Sequence, residues 1–278
     1  MLERQWFLNN FLCIGLDSEY GKIPEEVHCH KYNNSEEENI GESMVKFNRL
    51  IVDVTSNLVC AYKINSAFYE AYGKVGIKAL AKTFKYIRQE APEVPIILDA
   101  KRADIGNTNN GYVKFAFDYL GADAITVNPY LGAEALKPFL DLPHKGIFVL
   151  CRTSNSGAGE FQDLLVDGQP LYKQVARHVA DEWDKYGNCA LVVGATYPDE
   201  LIAVRSLVGD MPILIPGIGA QGGDLEKTVT AGKNSQGTGM IINSSRGIIF
   251  APSDDGDFEA AAQREAQKLH DLINQYRG

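Results

Sequence analysis

The stretch "LDAKRADIGNT", residues 98–108, holds four charged side chains, Asp99, Lys101, Arg102 and Asp104, directly after the apolar run "VPII". If strand alternation persists, Asp99 and Lys101 point to the same side as Ile97, toward a core. A lone charge in an apolar interior costs several kcal/mol or more, so an acid and an amine placed there must pair. Lys63, at the end of the neighbouring run "LVCAYKIN", reaches a comparable height, and Asp104 is expected to curl back after a turn. The result is a self-neutralising Lys–Asp–Lys–Asp array. Such networks stabilise little compared with apolar replacements, so the array points to chemistry. An ammonium held between carboxylates can stabilise developing negative charge and then donate a proton.

A second constellation points to phosphate. "IPGIGAQGGD" (215–224) and "NSSRGI" (243–248) are glycine-rich turns that lead toward helices and expose backbone N–H groups. Arg246 adds a planar two-pronged donor and Gln221 a neutral one. A small phosphorylated molecule then spans the site, its phosphate by Arg246 and its reacting centre by Lys101. "HCH" at 28–30 is too tightly spaced for the usual zinc ligand patterns, and we read no metal site.

These groups converge only if the fold brings them together. Eight β-rich apolar runs recur, at 11–18, 58–65, 94–101, 123–130, 146–154, 189–196, 212–219 and 239–246. Near-continuous apolar runs suit parallel strands buried on both faces. Helix-like stretches lie between them at 70–91, 111–121 and 170–187, and a closing helix begins at Phe258. Eight strands alternating with helices over this length predict one (β/α)8 TIM barrel across residues 1–278. An open doubly wound sheet is the runner-up, but the first strand lacks its early glycine-rich turn. Two long connections, 19–43 and 155–169, leave the C-terminal ends of strands one and five, the barrel face where sites are built. With 219–224, the second of them is a lid candidate.

Composition narrows the rest. The chain has 278 residues, 45% hydrophobic, and a formal net charge of −9, which disfavours nucleic acid as a partner. No run of eighteen apolar residues appears, so no membrane span is expected. The N-terminal "MLERQWFLNN" lacks a secretory apolar core. Five scattered cysteines suggest free thiols in a reducing, cytoplasmic compartment.

"DAKRADIGNT" (99–108) is similar to the D-x-K-x-x-D-I-G-N-T signature of the orotidine 5'-phosphate decarboxylases. "GLDS", "YKINSAFYEAYG" (62–73), "RTSNSGA" (152–158), "PGIGAQGGD" (216–224) and "SSRGI" (244–248) match that family's other blocks in order. The long connections resemble its longer bacterial subgroup, type 2. One departure is Ile64, where that subgroup often carries proline. Mg²⁺-dependent relatives, the hexulose-phosphate synthases and keto-gulonate-phosphate decarboxylases, share D-x-K-x-x-D but lack the Ile105–Thr108 continuation.

The resemblance implies decarboxylation of orotidine 5'-monophosphate to UMP in pyrimidine biosynthesis, without a cofactor. It implies Lys63, Asp99, Lys101 and Asp104 as the catalytic tetrad, with Lys101 as the acid that protonates C6. Asp17, Lys63 and Asp104 would serve the ribose, Ser154 the pyrimidine, and Gln221 and Arg246 the phosphate. Ile105 and Thr108 join the substrate-binding set. Asp104 and Thr108 would reach a partner's site in a homodimer. Two other readings stay open: a Schiff-base aldolase using Lys63 or Lys101, which flanking acids disfavour, and a non-catalytic sensor of a phosphorylated ligand.

Overall fold

Eight parallel strands close into a barrel in the computed structural model, which describes residues 1–219, 223–253 and 256–278. The strands are β1 (Leu12–Gly15), β2 (Val59–Asn65), β3 (Ile96–Arg102), β4 (Ala124–Val127), β5 (Gly146–Arg152), β6 (Cys189–Val193), β7 (Ile213–Pro216) and β8 (Met240–Ser244). Each pairs with its sequence neighbours, and β1 closes the ring on β8. The expected strands are all present, and most are shorter than their apolar runs. Ladder pairing stops where the chain bends into the mouth; after β4, for example, Pro129–Leu131 forms a single 3₁₀ turn.

Strand alternation sets what faces the barrel axis. Ala61, Ile97, Ala124, Phe148 and Ile241 surround the N-terminal end. Two residues further along each strand stand Lys63, Asp99, Thr126, Leu150 and Asn243, which line the C-terminal mouth. The lower layer is apolar, so the charges above it rest on a dry floor. Outside the barrel, helix Glu36–Thr55 packs beside helix Gly73–Glu90, burying Phe47, Ile51, Leu80 and Phe84 against the strands. A fully buried side chain of this kind contributes about 1.5–3 kcal/mol.

The connections depart from the sequence expectation in five places. The polar stretch 19–43 is not all loop: it has turns at Tyr20–Lys22 and Glu25–Val27, and its last eight residues begin helix Glu36–Thr55. A reciprocal capping box starts that helix, with the Ser35 hydroxyl accepting from Glu38 N–H and the Glu38 carboxylate from Ser35 N–H. The helix expected at 70–91 is interrupted before Gly73, whose φ of 52° breaks it from Ala67–Glu70. The helix expected at 111–121 begins earlier, at Gly106, and runs through "GNTNN", residues of poor helix propensity, before a π-helical stretch at Lys114–Tyr119. The 170–187 helix runs Leu171–His178 and ends through a π-helical stretch at Val179–Trp183. The 155–169 connection carries a short helix, Gly159–Gln162, and a hairpin pairing Leu165–Val166 with Gln169–Pro170.

No helix among the described residues is long and apolar enough to cross a membrane.

Candidate active site

A cavity of about 480 Å³ occupies the C-terminal mouth of the barrel. Its wall divides into two arcs. Asn243 on β8, Asp17 after β1, Lys63 on β2, Asp99 on β3 and Thr126 on β4 form a continuous polar arc. At the same height on β5, β6 and β7, Leu150, Val192 and Leu214 form an apolar arc, with Thr153, Ser154, Asn155 and Gln162 at the rim. A ligand with one charged and one apolar edge matches that division.

The polar arc is an ordered chain of charges. Lys63 Nζ donates to Asp99 Oδ2 at 2.9 Å and lies 3.6 Å from Asp17 Oδ1. Lys101 Nζ donates to Asp99 Oδ1 at 2.7 Å. Burial opposes the Lys63 ammonium, but Asp17 and Asp99 together outweigh it and raise its pKa. Burial likewise opposes the Asp99 carboxylate, and Lys63 and Lys101 overcome it, holding that group well below the usual carboxylate range. The buried Cys13 thiol beneath the array is pushed up to about 12, chiefly by burial, with Lys63 opposing. It is therefore an inert neutral group.

Lys101 differs from its neighbours. Its side chain is 46% exposed where those of Lys63 and Asp99 are 6% and 9% exposed. Its backbone is left-handed, with φ of 47°. Arg102 turns away, pairing with Glu70 and lying over the Tyr112 ring at 5.1 Å. The shared inward face of Asp99 and Lys101 thus holds.

Asp104 does not join the array, contrary to the expectation that it curls back over Lys101. Its backbone N–H donates to Asn109 Oδ1 at 3.0 Å, and its carboxylate accepts from Ile105 N–H. Asn109 clamps this turn in an orientation that carries the Asp104 side chain away from Asp99. Ile105 and Thr108 are exposed and lie outside the cavity lining as well. Asp17 takes the fourth place in the array instead.

Ser154 and Arg246 both line the cavity. Ser154 sits so close to Gly194 that a Cβ there would come within 2.6 Å of the serine Cβ. Arg246 opens the short helix Arg246–Ile249 and is exposed beside Gly217 and Ile218. Gln221 lies outside the described residues. At 28–30, His28 stacks on Tyr20 and its Nε2 lies 3.1 Å from Ile23 O, so the ring is engaged in packing.

Several lining residues escape sequence reasoning. Thr126 donates to Asp99 Oδ1 at 2.8 Å, yet in "AITV" it reads as strand filler. Counting alternation from Ala124 would have placed it inward. Asn243 is 6% exposed, and its Oδ1 has no hydrogen-bond partner among the described residues. Gln162 accepts from Thr153 N–H and donates to Thr153 Oγ1, while Arg152 reaches Asp163 at 3.1 Å beneath it. These bonds tie the 155–169 connection to the rim.

Comparison with known proteins identifies the family. Residues 10–261 match the model of the "Orotidine 5'-phosphate decarboxylase / HUMPS family". An orotidine 5'-phosphate decarboxylase of Janthinobacterium sp. is 47% identical over 266 residues, covering 95% of this chain and 93% of that protein. The solved OMP decarboxylase of Leishmania donovani superposes with a TM-score of 0.83 at 35% identity, covering 99% of this chain and 96% of that one. The UMP synthase of the same organism superposes with a TM-score of 0.86 at 36% identity, and this chain covers 55% of its length. The chain belongs to the orotidine 5'-phosphate decarboxylase / HUMPS family, and as an enzyme it is a carboxy-lyase.

Proposed function

We propose that the protein converts orotidine 5'-monophosphate to UMP and CO₂ with its own side chains and no cofactor. The observation that carries this reading is the Asp17–Lys63–Asp99–Lys101 array at the cavity wall, in which the Lys63 side chain is 6% exposed and that of Lys101 46%. The phosphate lies by Arg246, and the ribose hydroxyls lie along Asp17 and Lys63. The pyrimidine lies by Ser154, with C6 toward Lys101 and Asp99.

The C6–carboxylate bond breaks heterolytically. CO₂ leaves, and the electron pair remains on C6. Lys101 Nζ gives a proton to C6 and afterwards regains one from solvent. Because the ring delocalises this carbanion poorly, the developing charge needs a fixed cation in a site of low dielectric. The buried Lys63–Asp99 pair supplies the fixed frame. Phosphate contacts remote from the bond supply binding energy that aligns the ring.

Two copies of the chain form the working unit in this reading. Asp104, Ile105 and Thr108 lie outside the cavity of their own chain, and Ile105 is 64% exposed. Asp104 and Thr108 then serve the partner's substrate. The five free cysteines suit a reducing cytoplasm.

The test is release of CO₂ from orotidine 5'-monophosphate with EDTA present. Turnover unchanged by EDTA supports the reading. Activity that needs added Mg²⁺, or appears only with sugar phosphates, supports the Mg²⁺-dependent branch of the family instead. Borohydride trapping of a sugar phosphate on Lys63 or Lys101 would support the aldolase, and phosphate-ligand binding without any turnover the sensor.

A further inference from the structure

The pairing of β3 with β4 contains an irregularity at the reacting lysine. Leu98 pairs with Ile125, and the next pair is Arg102 with Val127. Three residues of β3, Asp99, Ala100 and Lys101, therefore lie opposite the single residue Thr126. The bulge takes Lys101 out of the ladder, and φ of 47° is a conformation that costs a non-glycine residue. Its backbone N–H consequently has no β4 carbonyl to bond. It donates to Thr126 Oγ1 instead, at 2.9 Å. Beyond the bulge the ladder resumes, with Asn128 N–H donating to Arg102 O at 3.1 Å.

The same hydroxyl has a second bond. Thr126 Oγ1 donates its own proton to Asp99 Oδ1 at 2.8 Å. That oxygen also accepts from Lys101 Nζ at 2.7 Å. The ring runs from Lys101 backbone to Thr126 hydroxyl, to Asp99 carboxylate, and back to the Lys101 ammonium. The hydroxyl's single proton is committed to Asp99 and one of its lone pairs to Lys101 N–H, and Thr126 is 1% exposed.

Resting on the functional reading above, we propose that Thr126 is a positioning residue for the proton-donating lysine. It holds the strained backbone of Lys101 and the carboxylate that aims its ammonium in one bonded unit. In this role Thr126 acts through Lys101 and Asp99, the two groups its hydroxyl bonds. The isosteric Thr126→Val variant keeps the volume and removes both bonds, releasing the bulge. The ammonium is then no longer delivered to one place, and misplacement of a reacting group by about 1 Å costs on the order of 100-fold in rate.

The experiment compares wild type with Thr126→Val and Thr126→Ser in three measurements: kcat and KM for orotidine 5'-monophosphate, UMP affinity, and the acylation rate of Lys101 read by peptide mass spectrometry. Thr126→Val should lose about 10- to 100-fold in kcat, with KM and UMP affinity within about threefold of wild type. Lys101 acylation should rise several-fold as its hydrogen bonds loosen. Thr126→Ser, which keeps the hydroxyl, should restore kcat. A Thr126→Val kcat within about twofold of wild type overturns the proposal, as does a loss that serine does not restore. If Thr126→Val does not fold, Thr126→Ser and Thr126→Ala are compared in the same way. Wild-type protein that releases no CO₂ overturns the functional reading but not the structural role of Thr126. That role then stands on Lys101 acylation alone, and an unchanged rate in the valine variant overturns it.

Discussion

Lys63 on β2 and Asp99 on β3 form an ion pair of 2.9 Å whose side chains are 6% and 9% exposed, at the point where the barrel's apolar layer gives way to its mouth. Neither partner is tolerable there alone. Lys63→Met leaves Asp17 without its cation and Asp99 with Lys101 alone. It should cost about 3–5 kcal/mol of unfolding free energy at neutral pH, measured by urea denaturation. The deficit should shrink in mild acid, because a carboxylate without its cation takes up a proton more readily. A loss below about 1 kcal/mol would mean that the array does not depend on this pair.

The wild-type pair makes the opposite pH prediction. The folded-state pKa of Asp99 is depressed, so its contribution is present above the ordinary carboxylate value of about 3.9 and is lost as pH falls through the lower folded value. Lys63 is raised, so its contribution is present below about 10.4 and is lost as pH rises through the folded value. Both groups stay charged between those limits. A profile of kcat from about pH 5 to about pH 9 should show no inflection from this pair, whereas kcat/KM should fall below about pH 6 as the substrate phosphate protonates. An inflection of kcat at neutrality that moves when Asp99 is substituted would contradict a permanently charged Lys63–Asp99 pair.

Removing the exposed ammonium separates chemistry from binding. Lys101→Ala should lower kcat by at least about 1,000-fold while UMP affinity changes by less than about tenfold. Calorimetric titration with UMP alongside CO₂ release provides both numbers. Turnover close to wild type would remove Lys101 from the role of acid.

Arg246 lines the cavity from the start of its short helix and should act through binding. Arg246→Ala loses a charge-assisted contact of about 1.5–3 kcal/mol, which is about 10- to 100-fold in kcat/KM. Inorganic phosphite added with a substrate lacking its 5'-phosphate should accelerate wild type more than the variant. An unchanged KM in Arg246→Ala would place the phosphate elsewhere.

Much of this site is legible in the sequence, for a physical reason. Charges inside apolar runs are costly, so Lys63, Asp99 and Lys101 stand out against "VCAYKIN" and "PIILDAK". The barrel is legible because strands buried on both faces read as apolar runs at regular intervals. Asp104 is misread because its direction is set by Asn109, five residues on, whose amide accepts from Asp104 N–H and also donates to its carbonyl. Such a clamp leaves no periodic trace. Thr126 is missed because threonine is a common strand residue, and the bulge that gives its hydroxyl a purpose exists only in the pairing of two strands. The start of helix Glu36–Thr55 could have been read from Ser35 and Glu38, but the unbroken polar run Asn33–Asn39 around them looks like solvent-facing loop.

The division of the mouth into a charged arc and an apolar arc has a stereochemical consequence. Strand order fixes which way round the axis the two arcs follow one another, and Arg246 leaves β8, whose other neighbour β7 belongs to the apolar side. Charged arc, apolar arc and arginine are three anchors not in line, so together they define a handedness. A nucleotide with the opposite configuration at its anomeric carbon has the same atoms and the same charge. To keep its phosphate on Arg246, it must turn the wrong edge of its base toward Lys101. In the proposed pose the barrel should therefore discriminate configuration as well as composition.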